Sequence, residues 1–282
     1  MIMKNLNDIQ EIVALSLAED VGDGDITAEL IPFNTYATAK IISREPAVIA
    51  GFPWAEEVFR QVDQYVTLER TIEEGATVVP GQTIATLSGP ARSLLTGERT
   101  ALNWLQTLSG TATLVSRYVH SLSSFPTKLL DTRKTIPGLR AAQKYAVRCG
   151  GGSNHRMGLF DAFLIKENHI VSCGSITKAV ADARAQEPNK TIEVEVETLE
   201  QLKEALAAGP EIIMLDNFQL SEMKEAVRLT AGRSKLEVSG GITLENIAQV
   251  ASTGVDFISV GSLTKHVHAI DLSMRVNFVE RH

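Results

Sequence analysis

Six short apolar runs, each ending in polar or glycine residues and each followed by a helical pattern, constrain the fold of this chain more than any other feature. They are KLLDT (128–132), FLIKE (163–167), IEVEVE (192–197), IIMLDN (212–217), LEVSGG (236–241) and FISVG (257–261). Helical spacing of apolar residues covers 139–148, 176–186, 199–208, 221–230 and 244–252. Repeated strand–helix units predict a parallel sheet with helices outside it. In a (β/α) barrel the groups at the strand C-terminal ends converge over one mouth. An open doubly wound sheet would spread them along an edge, with ligands at the switch point. The polar strand ends favour the barrel, and six strands rather than eight make it incomplete.

The first part of the chain lacks this rhythm. Apolar spacing predicts a helix over 7–19, followed by the Gly/Asp turn DVGDGDIT at 20–27. Strands are expected at 37–43, 47–50, 65–72 and 83–87, with a helix at 54–61. The stretch EEGATVVPGQTIATLSGP resembles the hammerhead modules that carry lipoyl or biotinyl groups, but the turn at Pro80-Gly81 holds no lysine, so its role is structural. From 94 to 122 the pattern is helical, with Gly110 as an expected break, and a domain boundary is placed between 110 and 126.

Charge narrows the function. The chain of 282 residues is acidic, with a formal net charge of -7, which argues against broad nucleic-acid binding. Yet from Lys128 to Lys166 there are eight basic residues and only two acids, Asp131 and Asp161. Such a local excess points to an anionic ligand or to a solvated helix face. Arg140, Lys144 and Arg148 recur every four residues and fit an exposed helix face. Thr132, Arg133, Lys134, His155, Arg156 and Lys166 sit at or near strand ends and fit a site. Glu195 and Asp216 add carboxylates able to hold Mg²⁺ through waters. Glu193, Glu195 and Glu197 alternate along one strand, so either a solvated or an inward face accounts for them. Ser239, Gly240, Gly241 and Gly261 offer backbone N–H groups suited to phosphate near expected helix starts. This set describes a site for a phosphorylated, polyanionic substrate.

These residues carry a resemblance. DTRKTIPGLR, KYAVRCGGGSNHRMGLFDAFLIKENHI, EVEVE, IIMLDN, EVSGGI and ISVGSLT, with GERTALNWLQTLSGTAT upstream, resemble the quinolinate phosphoribosyltransferases over nearly the whole chain. The resemblance implies a hammerhead-like N-terminal α/β domain over 1–112, to which a tail at 268–282 returns, and an incomplete (β/α) barrel over 113–267. It implies transfer from 5-phosphoribosyl 1-pyrophosphate to quinolinate with Mg²⁺, giving nicotinate mononucleotide, pyrophosphate and CO₂. Arg99 (from a neighbouring subunit), Arg133, His155, Arg156 and Lys166 would bind quinolinate, with Lys134 near both substrates. Glu195 and Asp216 would handle the ribose and the metal, and Ser239, Gly240, Gly241 and Gly261 the phosphates. A homodimer with shared sites is expected. Many members read Gly-Ala-Leu-Thr-His where this chain has GSLTKH, so no catalytic role is carried onto Lys265 or His266.

Two other readings have marks against them. A relative acting on another acceptor, such as a nicotinate phosphoribosyltransferase or the molybdate-operon paralogue, has no need of a second carboxylate anchor at Arg99. A non-catalytic scaffold would have lost Lys134, Glu195 or Asp216, and all three are present. No run of 18 apolar residues predicts a membrane span, and MIMKNLNDIQEIV lacks a signal-peptide core. Cys149 and Cys173 have neither CxxC spacing nor metal-type partners, so a reducing cytoplasm is the expected setting.

Overall fold

A computed structural model of the chain describes residues 6–278. In chain order the elements begin with α1 (Leu6–Val21), β1 (Tyr36–Ser43), β2 (Ala47–Val48), α2 (Phe52–Val62), β3 (Thr67–Arg70), β4 (Thr77–Val78), β5 (Thr83–Pro90) and α3 (Ala91–Ser121). They continue with β6 (Lys128–Leu130), α4 (Arg140–Cys149), β7 (Phe163–Ile165), α5 (Glu167–Cys173), α6 (Ile176–Gln186), β8 (Ile192–Val196), α7 (Leu199–Ala208) and β9 (Ile212–Asp216). The last are α8 (Leu220–Thr230), β10 (Lys235–Ser239), α9 (Ile247–Ala251), β11 (Phe257–Ser259), α10 (Ser262–Lys265) and β12 (Leu272–Phe278). No described helix is long and apolar enough to cross a membrane.

The chain divides into two compact units. The first comprises Met1–Leu114, Ala141–Gly151 and His266–His282. Its main sheet is antiparallel, in the order β12-β1-β5-β3, and β2 pairs with β4 in a second small sheet. Packing is dense around Trp54, whose ring stacks on Trp104 at 5.8 Å and meets Tyr145 edge-on at 5.2 Å. Tyr145 lies on α4, so this helix belongs to the first unit, a segment that the sequence boundaries 1–112 and 113–267 do not separate out. Lys144, on the same helix, is fully buried. Its expected place on an exposed face is therefore wrong: the every-four spacing reads a stripe but not which way it faces.

Gly110 likewise does not break α3, which runs unbroken from Ala91 to Ser121. A Cβ at Gly110 would lie 2.1 Å from the carbonyl oxygen of His268. The missing side chain lets the returning C-terminal segment cross the helix at backbone distance, and Ile270 N donates to Gln106 O one turn away.

The second unit comprises Val115–Arg140 and Gly152–Lys265. Its six strands are all parallel, in the order β6-β11-β10-β9-β8-β7. With helices between them they form an incomplete (β/α) barrel. Local chemistry fixes the helix ends: Ser175 accepts from Lys178 N at the start of α6, and Thr198 from Gln201 N at the start of α7. α7 stops at Gly209, whose φ of 71° is the left-handed C-cap that glycine tolerates. The strands are buried on both faces, as IEVEV in β8 shows, which requires its inward glutamates to find partners inside the barrel.

Candidate active site

Strand register brings the polar ends together. Ser239 of β10 lies beside Asp216 of β9, and Glu195 of β8 beside Met214. Because side chains alternate, Glu193 and Glu237 project on the same face one step deeper. A cavity of about 370 Å³ opens there, lined by Thr132, Arg133, Lys134, His155, Arg156, Lys166, Glu195, Asp216 and Ser239, together with Leu164, Met214, Glu237 and Ser259. Nine of the expected site residues thus converge within one unit. Gly240 and Gly241 line a second hollow of about 330 Å³ with Asn217 and Asn246. Arg99 lies exposed on α3 in the first unit.

The cations are held from behind. Thr132 Oγ1 accepts from Lys134 N at 3.0 Å, and Thr264 Oγ1 donates to Lys134 O at 2.8 Å. A Cβ on Gly261 would lie 2.8 Å from Lys134 Cδ, so this glycine makes room for the lysine stem. Arg140 is no free surface charge: its guanidinium donates to Thr135 Oγ1, Arg133 O and Met157 O, tying the two cationic loops together. His169 Nδ1 accepts from Lys166 N at 2.9 Å.

Burial, followed by repulsion from Arg133, pulls the Arg156 guanidinium below its ordinary range, with Glu193 and Asp161 partly offsetting this. A desolvated guanidinium crowded by a second cation is what an anionic ligand relieves. Lys166 Nζ pairs with Glu195. Burial first, and then the Glu195 charge, hold the Asp216 carboxyl above the usual carboxylate range, while Lys166 and Lys134 oppose the shift. Two crowded oxygen donors of this kind suit a hard divalent ion bound partly through a phosphorylated ligand.

The sequence reading missed the floor. Glu237 is fully buried and Glu193 3% exposed. His155 Nε2 is 2.9 Å from Glu193 Oε2 and 3.6 Å from Glu237 Oε2. Among the described residues this is the one His/Cys/Asp/Glu trio close enough to share an ion. Glu237 has no hydrogen-bond partner among the described residues, and burial with the neighbouring Glu193 charge pushes its pKa to about 8. Period two from Ser239 was the available signal for Glu237. The glycine pair also differs from expectation. α9 begins only at Ile247, and a Cβ on Gly240 would lie 2.2 Å from Asn217 Oδ1. Gly240 and Gly241 therefore belong to a turn rather than a helix N-terminus.

Comparison with known proteins gives two matching family models. The quinolinate phosphoribosyl transferase N-terminal domain matches residues 25–109 and the C-terminal domain residues 111–275. A Mycobacterium leprae protein named nicotinate-nucleotide pyrophosphorylase [carboxylating] is 45% identical over 94% of this chain and 96% of its own length. The structure of the nicotinate-nucleotide pyrophosphorylase from Francisella tularensis is 50% identical, covers 98% of each chain and superposes with a TM-score of 0.95. Human nicotinic acid phosphoribosyltransferase, 15% identical with a TM-score of 0.65 over 99% of this chain and 74% of its own, shares the fold alone.

Proposed function

Since the chain belongs to the quinolinate phosphoribosyltransferase family, we propose that it converts quinolinate and 5-phosphoribosyl 1-pyrophosphate to nicotinate mononucleotide, pyrophosphate and CO₂ in NAD biosynthesis. The observation that carries this reading is the pair Arg133 and Arg156, crowded in one cavity with Lys134 and Lys166. A dicarboxylate relieves that repulsion, and arginine's planar fork suits a carboxylate.

The ring nitrogen of quinolinate attacks the anomeric carbon as its bond to the pyrophosphate oxygen breaks. Arg133, Arg156 and Lys166 hold the two carboxylates in line for this attack, and His155 lines the same cavity. Glu195 and Asp216 would face the positive charge that develops on the ribose and would hold Mg²⁺, a reading supported by their crowded oxygen donors. When bound, the ion neutralises charge on the departing pyrophosphate. Ser239, Gly240, Gly241 and Gly261 take the phosphates through backbone N–H groups. The pyridinium then stabilises the electron pair left at C2 as CO₂ departs, and a proton added at C2 completes the product. Lys134 serves this second half, its backbone fixed by Thr132 and Thr264 while its ammonium stays exposed to the cavity.

We place this activity in a cytoplasmic homodimer in which the partner's Arg99 completes each site. Incubation with both substrates and Mg²⁺, with nicotinate mononucleotide and CO₂ measured, tests the reaction; absence of either product would sink it. Lys134→Ala should stop CO₂ release more than pyrophosphate release, and equal loss of both with no carboxylated nucleotide accumulating argues against its separate role. Mixing Arg99→Ala subunits with Lys134→Ala subunits should restore part of the activity, because one site per mixed dimer then has all its residues. No restoration would refute shared sites.

A further inference from the structure

His155 lines the cavity, yet both of its ring nitrogens are engaged with the protein. Nδ1 accepts from the backbone N–H of Arg156 at 2.7 Å, so the ring proton sits on Nε2, which is turned down to Glu193 Oε2 at 2.9 Å. The residue's own backbone N–H donates to Asp131 Oδ1 at 2.9 Å, and Asn154 Nδ2 donates to the other oxygen of this fully buried carboxylate. Six residues after His155, Asp161 accepts from Met157 N at 2.6 Å and Gly158 N at 2.9 Å. The loop carrying Arg156 is therefore pinned by carboxylates at both ends, and at its centre the imidazole connects it to the barrel floor.

We propose that Glu193 is a positioning residue that sets the place of Arg156 through His155. The chain of contacts is short: Glu193 accepts from Nε2, the ring transmits the constraint, and Nδ1 fixes the amide of Arg156. Glu237, 3.6 Å from the same nitrogen, backs the ring and leaves it no second direction on that side. Such a strut explains why a carboxylate is kept 3% exposed in a strand whose neighbours are valines and isoleucine. It also separates two jobs inside one cavity. Arg156 belongs to the dicarboxylate half, whereas the ribose and phosphate half hangs on Glu195, Asp216 and Ser239, which the strut does not touch.

The inference rests on the functional reading above, and its test is a split between the two substrates. Glu193→Leu should raise the KM for quinolinate about tenfold, the size expected for losing one buried hydrogen bond that orients a charged anchor, and leave the KM for phosphoribosyl pyrophosphate within about twofold. His155→Phe keeps the ring volume, removes both hydrogen bonds and should give the same split. In the double variant Glu193→Leu should add at most about twofold to His155→Phe, because the glutamate positions Arg156 through the ring and its direct charge on Arg156 is a lesser influence. Glu193→Gln retains an acceptor oxygen and should stay within about threefold of the native KM. Additive effects, an equal rise in both KM values, or a Glu193→Gln as damaged as Glu193→Leu would each overturn the proposal. If Glu193→Leu does not fold, His155→Phe and Glu193→Gln still decide, since an unchanged quinolinate KM in His155→Phe overturns it alone. A native enzyme that turns over no quinolinate would sink the functional reading and this inference with it. Normal native turnover with an indifferent Glu193→Leu sinks only the inference.

Discussion

In the first unit Glu74 accepts from Gly51 N and Phe52 N at the start of α2 and from the Cys149 thiol, so each of its oxygens has a partner. In the second unit Glu237 is buried more completely and has no hydrogen-bond partner among the described residues. Burial raises the pKa of both carboxyls; in Glu74 backbone N–H groups and Arg70 oppose the rise, whereas in Glu237 the charge of Glu193 adds to it, with His155 and Ser259 opposing. The first arrangement is a helix cap built into packing, where every polar atom is answered locally. The second holds polar atoms at the floor of a cavity without full satisfaction, a cost that folding alone gives no reason to keep. The contrast separates polar burial that stabilises from polar burial that prepares a site.

Substitutions can break this contrast, and the largest effect is expected at the mouth above Glu237. Asp216→Ala should lower kcat by about 10²–10³, as removal of an electrostatic group near developing charge does, with little change in melting temperature. A large loss of stability with activity retained would reverse the roles of the two regions. Next, Glu74→Ala strands three donors and should cost about 2–3 kcal/mol, lowering Tm by roughly 5–10 °C in calorimetry. A shift under about 2 °C would remove the claim that this cap stabilises.

Glu237 predicts a pH dependence. Its carboxyl keeps a proton in the folded state up to about pH 8 but releases it near its ordinary value of 4.5 when unfolded. The stability tied to that proton is complete below the unfolded value and is lost as pH rises towards the folded one, by up to about 1.4 kcal/mol per pH unit. Glu237→Gln cannot ionise, so its Tm relative to the native chain should climb between about pH 5 and pH 8 and then level off. A flat difference would show that Glu237 titrates normally. The smallest effect concerns Cys149, whose thiol burial and the Glu74 charge push up to about 12. Iodoacetamide at neutral pH should leave it unmodified in the folded protein by peptide mapping, while a free thiol peptide in the same tube reacts.

Much of the second unit was legible because each strand carries its chemistry at one end. The apolar runs and their polar ends located six strands, α6 and α7 to the residue, and nine residues of the cavity. What escaped is what period and spacing cannot carry. α5 and α10, of seven and four residues, are too short to show a helical stripe. Lys144 repeats with Arg140 and Arg148 as a surface stripe would, but its direction is decided by what α4 packs on. In IEVEV both faces are buried, so the sequence does not say which alternate set looks inward, and Glu193 stayed undecided until the register was known. Gly110 reads as a helix breaker because the segment that needs its bare backbone lies more than 150 residues later.

That distant partner sets the order in which the protein can be made. β12 is the sheet neighbour of β1, though Leu272–Phe278 follow every strand of the barrel in chain order. A ribosome delivering the chain from its N-terminus completes every strand of the barrel before the edge of the first sheet arrives. The earlier sheet is therefore finished after the later one. Until β12 emerges it waits with the β1 edge unpaired, so expression conditions that slow elongation through the barrel should expose that edge to chaperones or to a second nascent chain.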